Sequence, residues 1–289
     1  MAIVETSCDV KQNAKPKVSP KNALNDLTGK EWIQETCSVF YQKGLGLNHK
    51  ETIFEKQHPA PFSFQDVGRL IRFFTKENET VLDPFNGVSS TLKACAILKR
   101  KGIGIELSSK WINLGKQRLQ EEVSNSHNQK IIEGDSRIVL KNFKEYSISY
   151  IVTSPPYWNI LAKQTAENKR KTRSEIGLET KYSTSNSDLG NIADYSQFLD
   201  ELSLCFKECF RVLENKRYAS IIVSDFRHKS ELFPFHSHVV DLCTKIGFTL
   251  QGIGILVQRN KKLYPYGYPY AYVPNIHHQY VLTFRKLTK

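Results

Sequence analysis

From Thr80 onward, short runs rich in Val, Ile and Leu alternate with longer stretches whose apolar residues recur every three or four positions. Short apolar runs bounded by turn residues predict buried strands, and the longer period predicts helices packed by one face. Seven strands are predicted, at 80–83, 102–106, 130–133, 148–153, 218–224, 249–257 and 279–285. Helices are predicted between them at 89–98, 110–123, 194–213 and 236–246. The third is the clearest. Tyr195, Phe198, Leu199, Leu202, Cys205, Phe206, Cys209, Phe210 and Leu213 fall on one stripe, and Asp194 with Gln197 has the spacing of a capping box. Those nine residues are assigned to the core and given no chemistry. Such alternation predicts an α/β fold, a Rossmann-like, mostly parallel seven-stranded sheet with helices on both faces.

Two stretches break the alternation. Residues 161–191 hold Lys163, Lys169, Arg170, Lys171, Arg173 and Lys181 among many Ser, Thr and Asn. Residues 259–278 hold Arg259, Lys261 and Lys262, then Tyr264, Tyr266, Tyr268, Tyr270 and Tyr272 interleaved with Pro and Gly. Connections this long inside a compact domain carry function or lack fixed structure. Residues 1–25 are polar and lysine-bearing with no apolar signal segment, so a flexible tail is expected there and one catalytic domain over 26–289. No apolar run is long enough to cross a bilayer. Six cysteines show neither a CxxC pair nor a zinc-type Cys/His spacing, which calls for no metal and leads us to expect reduced thiols in a cytoplasm. Lys and Arg number 41 against 29 Asp and Glu, and the resulting formal charge of +12 favours a polyanionic partner.

Two motifs carry candidate chemistry. The first runs from strand to helix as Val81-Leu82-Asp83-Pro84-Phe85-Asn86-Gly87-Val88-Ser89-Ser90. A glycine turn at the carboxyl end of a strand lets a ligand approach the backbone closely. Its spacing is not the GxGxxG of dinucleotide folds, and at this loop alone a nicotinamide cofactor stays open. Glu106, followed by Leu107, ends the second strand and is placed to accept hydrogen bonds from ribose hydroxyls. Asp135 ends the third and is placed to accept one from an adenine amine. The second motif is Thr153-Ser154-Pro155-Pro156-Tyr157-Trp158 at the end of the fourth strand. Two prolines hold the chain extended and donate nothing to a sheet. The Ser154 hydroxyl and Pro155 carbonyl can therefore accept from an amino group while Tyr157 offers a ring face to a planar base. A proline turn after a strand is the plain alternative.

With these motifs in their order, the chain resembles the amino-methylating DNA methyltransferases that make N4-methylcytosine or N6-methyladenine. DPFNGVS is similar to their cofactor loop and SPPY to their catalytic motif. His58-Pro59-Ala60-Pro61-Phe62 resembles the segment preceding that loop, whose aromatic residue packs on the cofactor. Ser89 stands where the family has a second glycine, and Ser63 replaces a proline. The resemblance implies S-adenosylmethionine as cofactor, held by Phe62, Asp83, Pro84, Phe85, Asn86, Gly87, Glu106, Leu107, Asp135 and Ser154. It implies a catalytic set of Ser154, Pro155, Pro156 and Tyr157 acting on a base flipped out of duplex DNA by direct in-line transfer. Serine at the head of the motif goes with cytosine N4 in the family, with adenine N6 as the alternative and an RNA amine as a further one. Only seventeen residues separate Asp135 from Thr153, so DNA recognition is expected after Tyr157. Lys169, Arg170, Lys171 and Arg173 are expected on phosphates, and Arg227, Arg259 and Asn275 at base edges. A cognate restriction endonuclease or other defence component is an expected partner, and the chain is expected to be a monomer or homodimer.

Overall fold

In the computed structural model, residues 17–43, 53–58, 62–160, 185, 187–259 and 261–288 are described. The chain runs α1 (Gly29–Glu35), β1 (Val39–Tyr41), α2 (Ile53–Gln57), α3 (Phe64–Phe74), β2 (Thr80–Asp83), α4 (Ser90–Ile97), β3 (Lys101–Glu106), α5 (Ser109–Glu122), β4 (Gln129–Glu133), α6 (Ser136–Val139), β5 (Ile148–Thr153), α7 (Tyr195–Val212), β6 (Leu213–Val223), β7 (Phe226–His228), β8 (Glu231–Phe233), α8 (Phe235–Ile246), β9 (Phe248–Val257) and β10 (His278–Lys286).

The main sheet has eight strands in the order β1-β9-β10-β6-β5-β2-β3-β4, where the sequence pattern predicted seven. The added strand is β1, three residues paired in parallel with β9 at the sheet edge, too short to show any period. Every pairing in this sheet is parallel except those of β10, which runs antiparallel to both β6 and β9. The strands β7 and β8 form a separate hairpin that the pattern also left unpredicted.

From β2 the order steps outward through β3 to β4, then returns to the other side of β2 and continues through β5 to β6. The crevice between β2 and β5 is thus a topological switch point, the place where doubly wound sheets bind ligands beyond their strand ends. Both sequence motifs stand there, one after β2 and the other after β5.

The sheet is covered on both faces. One apolar cluster joins α3 and α4 to Val81, Tyr150 and Val152, and the other joins α7 and α8 to Leu82, Ile151 and Ile221. Successive residues of β2 and β5 thus feed opposite faces, as the pleat requires. In α7, Phe198, Leu202, Cys205, Phe206, Cys209 and Val212 are buried and Asp194 caps the helix by accepting from the Gln197 N–H at 2.7 Å. Toward the N-terminus the packing begins before residue 25. The Asn25 side chain is buried and donates to the Phe73 carbonyl, and Thr28 and Glu31 form a capping box on α1. The boundary expected at residue 25 therefore falls inside a packed segment, and residues 1–16 of the expected tail lie outside the described ones. Among the described residues, no helix is long and apolar enough to cross a membrane.

Candidate active site

At the end of β2 the chain must turn sharply and then start a helix. Gly87 supplies the turn with φ +50°, and Ser89 follows with φ +63°, a left-handed conformation that costs a residue with a Cβ about 1–2 kcal/mol. Two features offset that cost. The Ser89 hydroxyl accepts from Asn86 Nδ2 at 2.8 Å, and α5 presents Gly115 opposite it, where a Cβ would stand 2.4 Å from the Ser89 Oγ. The loop keeps its course without the second glycine.

Asp83, expected to bind cofactor, does not line the cavity. Its carboxylate is fully buried and accepts from the Phe85 N–H at 3.0 Å, from the Thr153 hydroxyl at 2.7 Å and from the Thr91 hydroxyl. It rivets β2 to α4 and to the strand end that carries SPPY. Burial outweighs these hydrogen bonds and pushes its carboxyl up to about 6.

Pro84, Phe85, Asn86, Gly87, Glu106, Leu107 and Phe62 do line a cavity of about 600 Å³. Glu106 faces the loop from β3, accepting from the Gly87 N–H at 2.8 Å and the Ser108 N–H at 2.9 Å. With the Leu107 N–H as a third backbone donor, about one of the four lone-pair sites of the carboxylate is left to accept. Burial drives this carboxyl up to about 7 despite those backbone bonds. The Asn86 Oδ1 is buried beside the cavity without a hydrogen-bond partner. His58 and Trp111, to which the motifs gave no role of their own, complete this wall. Their rings meet edge to face at 4.8 Å, and a Cβ on Gly87 would lie 3.2 Å from His58 Nε2.

Asp135 also reaches the cavity, but in an arrangement the sequence did not predict. It caps α6 through the Arg137 N–H at 2.9 Å, and the Arg137 guanidinium engages both its oxygens. The same guanidinium pairs with Glu201 and donates to the Ser187 carbonyl. In this structure Asp135 presents a carboxylate–guanidinium pair to the cavity, not a free adenine acceptor.

Across the crevice, Ser154, Pro155, Pro156 and Tyr157 line the opposite end of the same cavity. The Tyr157 hydroxyl is anchored: Gln279 Nε2 donates to it at 3.2 Å, and the Ser154 side chain and Ser224 backbone also bond it. Burial raises its pKa, so the phenol stays neutral. The ring packs edge-on to Phe235 at 5.8 Å. Fixing the hydroxyl fixes the ring plane on which a base would lie. Gln279 and Ser224 were invisible to the motif because β6 and β10 bring them from far along the chain.

The expected DNA contacts divide. Lys169, Arg170, Lys171 and Arg173 lie outside the described residues. Arg227, on β7, donates to the Ser230 carbonyl within its own hairpin at 3.2 Å. Arg259 is exposed, its guanidinium 3.4 Å from the centre of the Tyr41 ring. Asn275 closes its own loop: its Oδ1 accepts from the Tyr264 N–H at 3.0 Å and its Nδ2 donates to the Tyr264 carbonyl at 2.8 Å, which leaves one donor and one acceptor site of the amide unspent. Within the loop so closed, Tyr268, Tyr270 and Tyr272 are 81%, 94% and 90% exposed and so do not pack against the domain. The base of this arm borders the cavity through Gln258, Lys261 and Ile276.

A family model for DNA methylases matches residues 4–117, which include the segment that builds the cofactor loop and Glu106. The type II methyltransferase M.MthZI of Methanothermobacter thermautotrophicus is 29% identical over 123 residues, 42% of this chain and 34% of its own length. M.HpaI of Haemophilus parainfluenzae is 36% identical over 67 residues, 23% of this chain and 21% of its length, and M.MjaI of Methanocaldococcus jannaschii is 44% identical over 64 residues, 20% and 21%. The matches thus span about a third or less of these relatives' length. Among solved structures, a protein assigned as a DNA modification methylase from Thermus thermophilus, in complex with S-adenosyl-L-methionine, is 28% identical with a TM-score of 0.38 over 54% of each chain. Over residues 4–117, which carry the loop after β2, the chain is similar to the amino-methylating DNA methylases of that family model.

Proposed function

We propose that the chain methylates the exocyclic amine of a base flipped out of duplex DNA, and that the base is cytosine, modified at N4. The observation that carries this reading is the shared cavity. A loop suited to an adenosine-bearing cofactor and a rigid proline segment suited to an amine line it from adjacent strand ends. S-adenosylmethionine fits the first end. Glu106 has acceptor capacity for ribose hydroxyls, and Phe62 with Trp111 offers apolar surface to the adenine. When bound, this group supplies a methyl attached to a positively charged sulfur.

The chain's own residues do the rest by alignment. The Ser154 hydroxyl and Pro155 carbonyl accept from the amine, and the Tyr157 ring sets the base plane. The Ser154 hydroxyl also bonds the Tyr157 phenol directly, which ties the amine acceptor to the ring that sets the base plane. The serine at the head of the motif favours cytosine. Incubating the protein with labelled S-adenosylmethionine and, separately, duplex DNA, tRNA and cell protein tests the substrate class. Label is expected in DNA alone, and label in tRNA or protein instead would overturn the reading.

A further inference from the structure

An amine that gains a methyl group must lose a proton, and Ser154 is a poor acceptor for one. Among the described residues, four carboxylates line the cavity: Glu106, Asp135, Asp188 and Asp225. Three belong to the cofactor end. Glu106 takes the Gly87 and Ser108 N–H groups, Asp135 is paired with Arg137, and Asp188 accepts from the Gly190 N–H beside Glu106. Asp225 alone follows β6 onto the acceptor side. Its neighbour Ser224 bonds the Tyr157 hydroxyl through the backbone.

Asp225 is held in place. Its Oδ1 accepts from the His236 backbone N–H at 3.1 Å and lies 2.7 Å from His236 Nδ1. The His236 ring stacks on Tyr280 with centroids 3.9 Å apart, and the Tyr280 hydroxyl bonds the same carboxylate. Tyr280 in turn follows Gln279, the Tyr157 anchor, on β10. A carboxylate has about four lone-pair sites, and three donors leave one for the cavity. Neighbouring residues of β10 thus hold the base-stacking ring, through Gln279, and the carboxylate, through Tyr280.

Resting on the function proposed above, we infer that Asp225 is a catalytic residue that accepts the proton leaving the target amine, with His236 and Tyr280 as positioning residues. As the nitrogen–carbon bond forms, the pair of the carbon–sulfur bond stays with sulfur, which becomes a neutral thioether. The nitrogen, now carrying positive charge, passes one proton to Asp225, and the product is a neutral methylamine and a carboxylic acid that solvent deprotonates. The negative charge also stabilises the cationic nitrogen as it develops.

Single-turnover methylation of duplex DNA at saturating cofactor tests this, alongside DNA affinity and the fluorescence of a 2-aminopurine placed at the target position. Asp225→Asn is expected to slow the step by about 100-fold or more, the ordinary scale of general-base catalysis. DNA affinity and base extrusion should stay within about twofold, since in this account the carboxylate acts after extrusion. His236→Gln and Tyr280→Phe keep the carboxylate but loosen it, and each is expected to slow transfer with extrusion unchanged. An Asp225→Asn rate equal to wild type overturns the inference. Should that variant fail to fold, wild-type rates in both His236→Gln and Tyr280→Phe overturn it equally. Wild-type protein that extrudes no base and labels no DNA would instead overturn the proposed function itself.

Discussion

At the scale of single residues, Glu106 links burial to cofactor affinity. An ordinary carboxyl titrates at 4.5 and this one at about 7, so between those values the folded chain holds a proton that the unfolded chain has lost. Stability of the cofactor-free protein contributed by this group is therefore greatest at low pH and declines as pH rises toward 7. Cofactor binding runs the other way. If ribose hydroxyls donate to the ionised form, affinity should rise with pH by up to about tenfold per unit below 7, with a proton released on binding. Glu106→Gln should abolish that dependence and weaken affinity by about 1–3 kcal/mol. Calorimetry across pH 5.5 to 8.5 in buffers of different ionisation enthalpy measures both, and a flat wild-type profile would contradict the assignment. Asp83 behaves differently. Asp83→Ala leaves three buried donors unpaired and is expected to cost about 3 kcal/mol of stability, read by urea denaturation. Unchanged stability with lost cofactor binding would restore the direct role the sequence suggested. That misreading has a plain cause. An acidic strand end looks the same whether its partners are ribose hydroxyls or threonines, and Thr91 and Thr153 lie 8 and 70 residues away.

At the scale of elements, the turn from β2 into α4 is stabilised across helices. Gly115→Ala should gain about 1 kcal/mol of helix propensity in a free helix, but here its Cβ meets the Ser89 Oγ at 2.4 Å. We therefore expect Gly115→Ala to destabilise the wild type and to become favourable once Ser89→Gly removes the clash and the left-handed strain. A double-mutant cycle by denaturation should show coupling of about 0.5–3 kcal/mol, and additive effects would show that the two positions do not press on each other. The seven predicted strands and four predicted helices were legible from their apolar runs and periods, and their ends agree with the structure within a few residues, apart from the start of β6, which begins at Leu213 where 218 was predicted; the four-residue α6 was too short to show a period. Before β2, α3 carries Val67, Leu70, Ile71 and Phe74 at helical spacing, a signal present in the sequence and passed over. The strand β1 and the β7–β8 hairpin have no such signal. Three residues cannot display a period, and only their partners make them strands.

At the scale of the whole molecule, the two halves of the site were legible for different reasons from the parts that were not. The glycine turn and the double proline are local chemistry, readable wherever they occur. Asp225, His236, Gln279 and Tyr280 meet only because β10 turns antiparallel against β6, with Tyr280 opposite Val223, and no local pattern announces that. DNA recognition remains a matter of the net charge of +12 and of two segments after Tyr157. If Lys169, Arg170, Lys171 and Arg173 contact phosphates, replacing all four with Gln should weaken binding to every sequence. It should also flatten the log–log salt dependence by about 0.9 for each phosphate no longer neutralised. An unchanged slope would remove that segment from the DNA surface. The central claim is that this cavity methylates cytosine N4 in DNA, and nucleoside mass spectrometry of duplex DNA treated with the purified protein and S-adenosylmethionine tests it most directly. The account predicts N4-methylcytosine, absent when Ser154→Ala or Tyr157→Ala replaces the wild type. N6-methyladenine would contradict the choice of base, and no modified nucleoside from a folded, cofactor-binding protein would contradict the function.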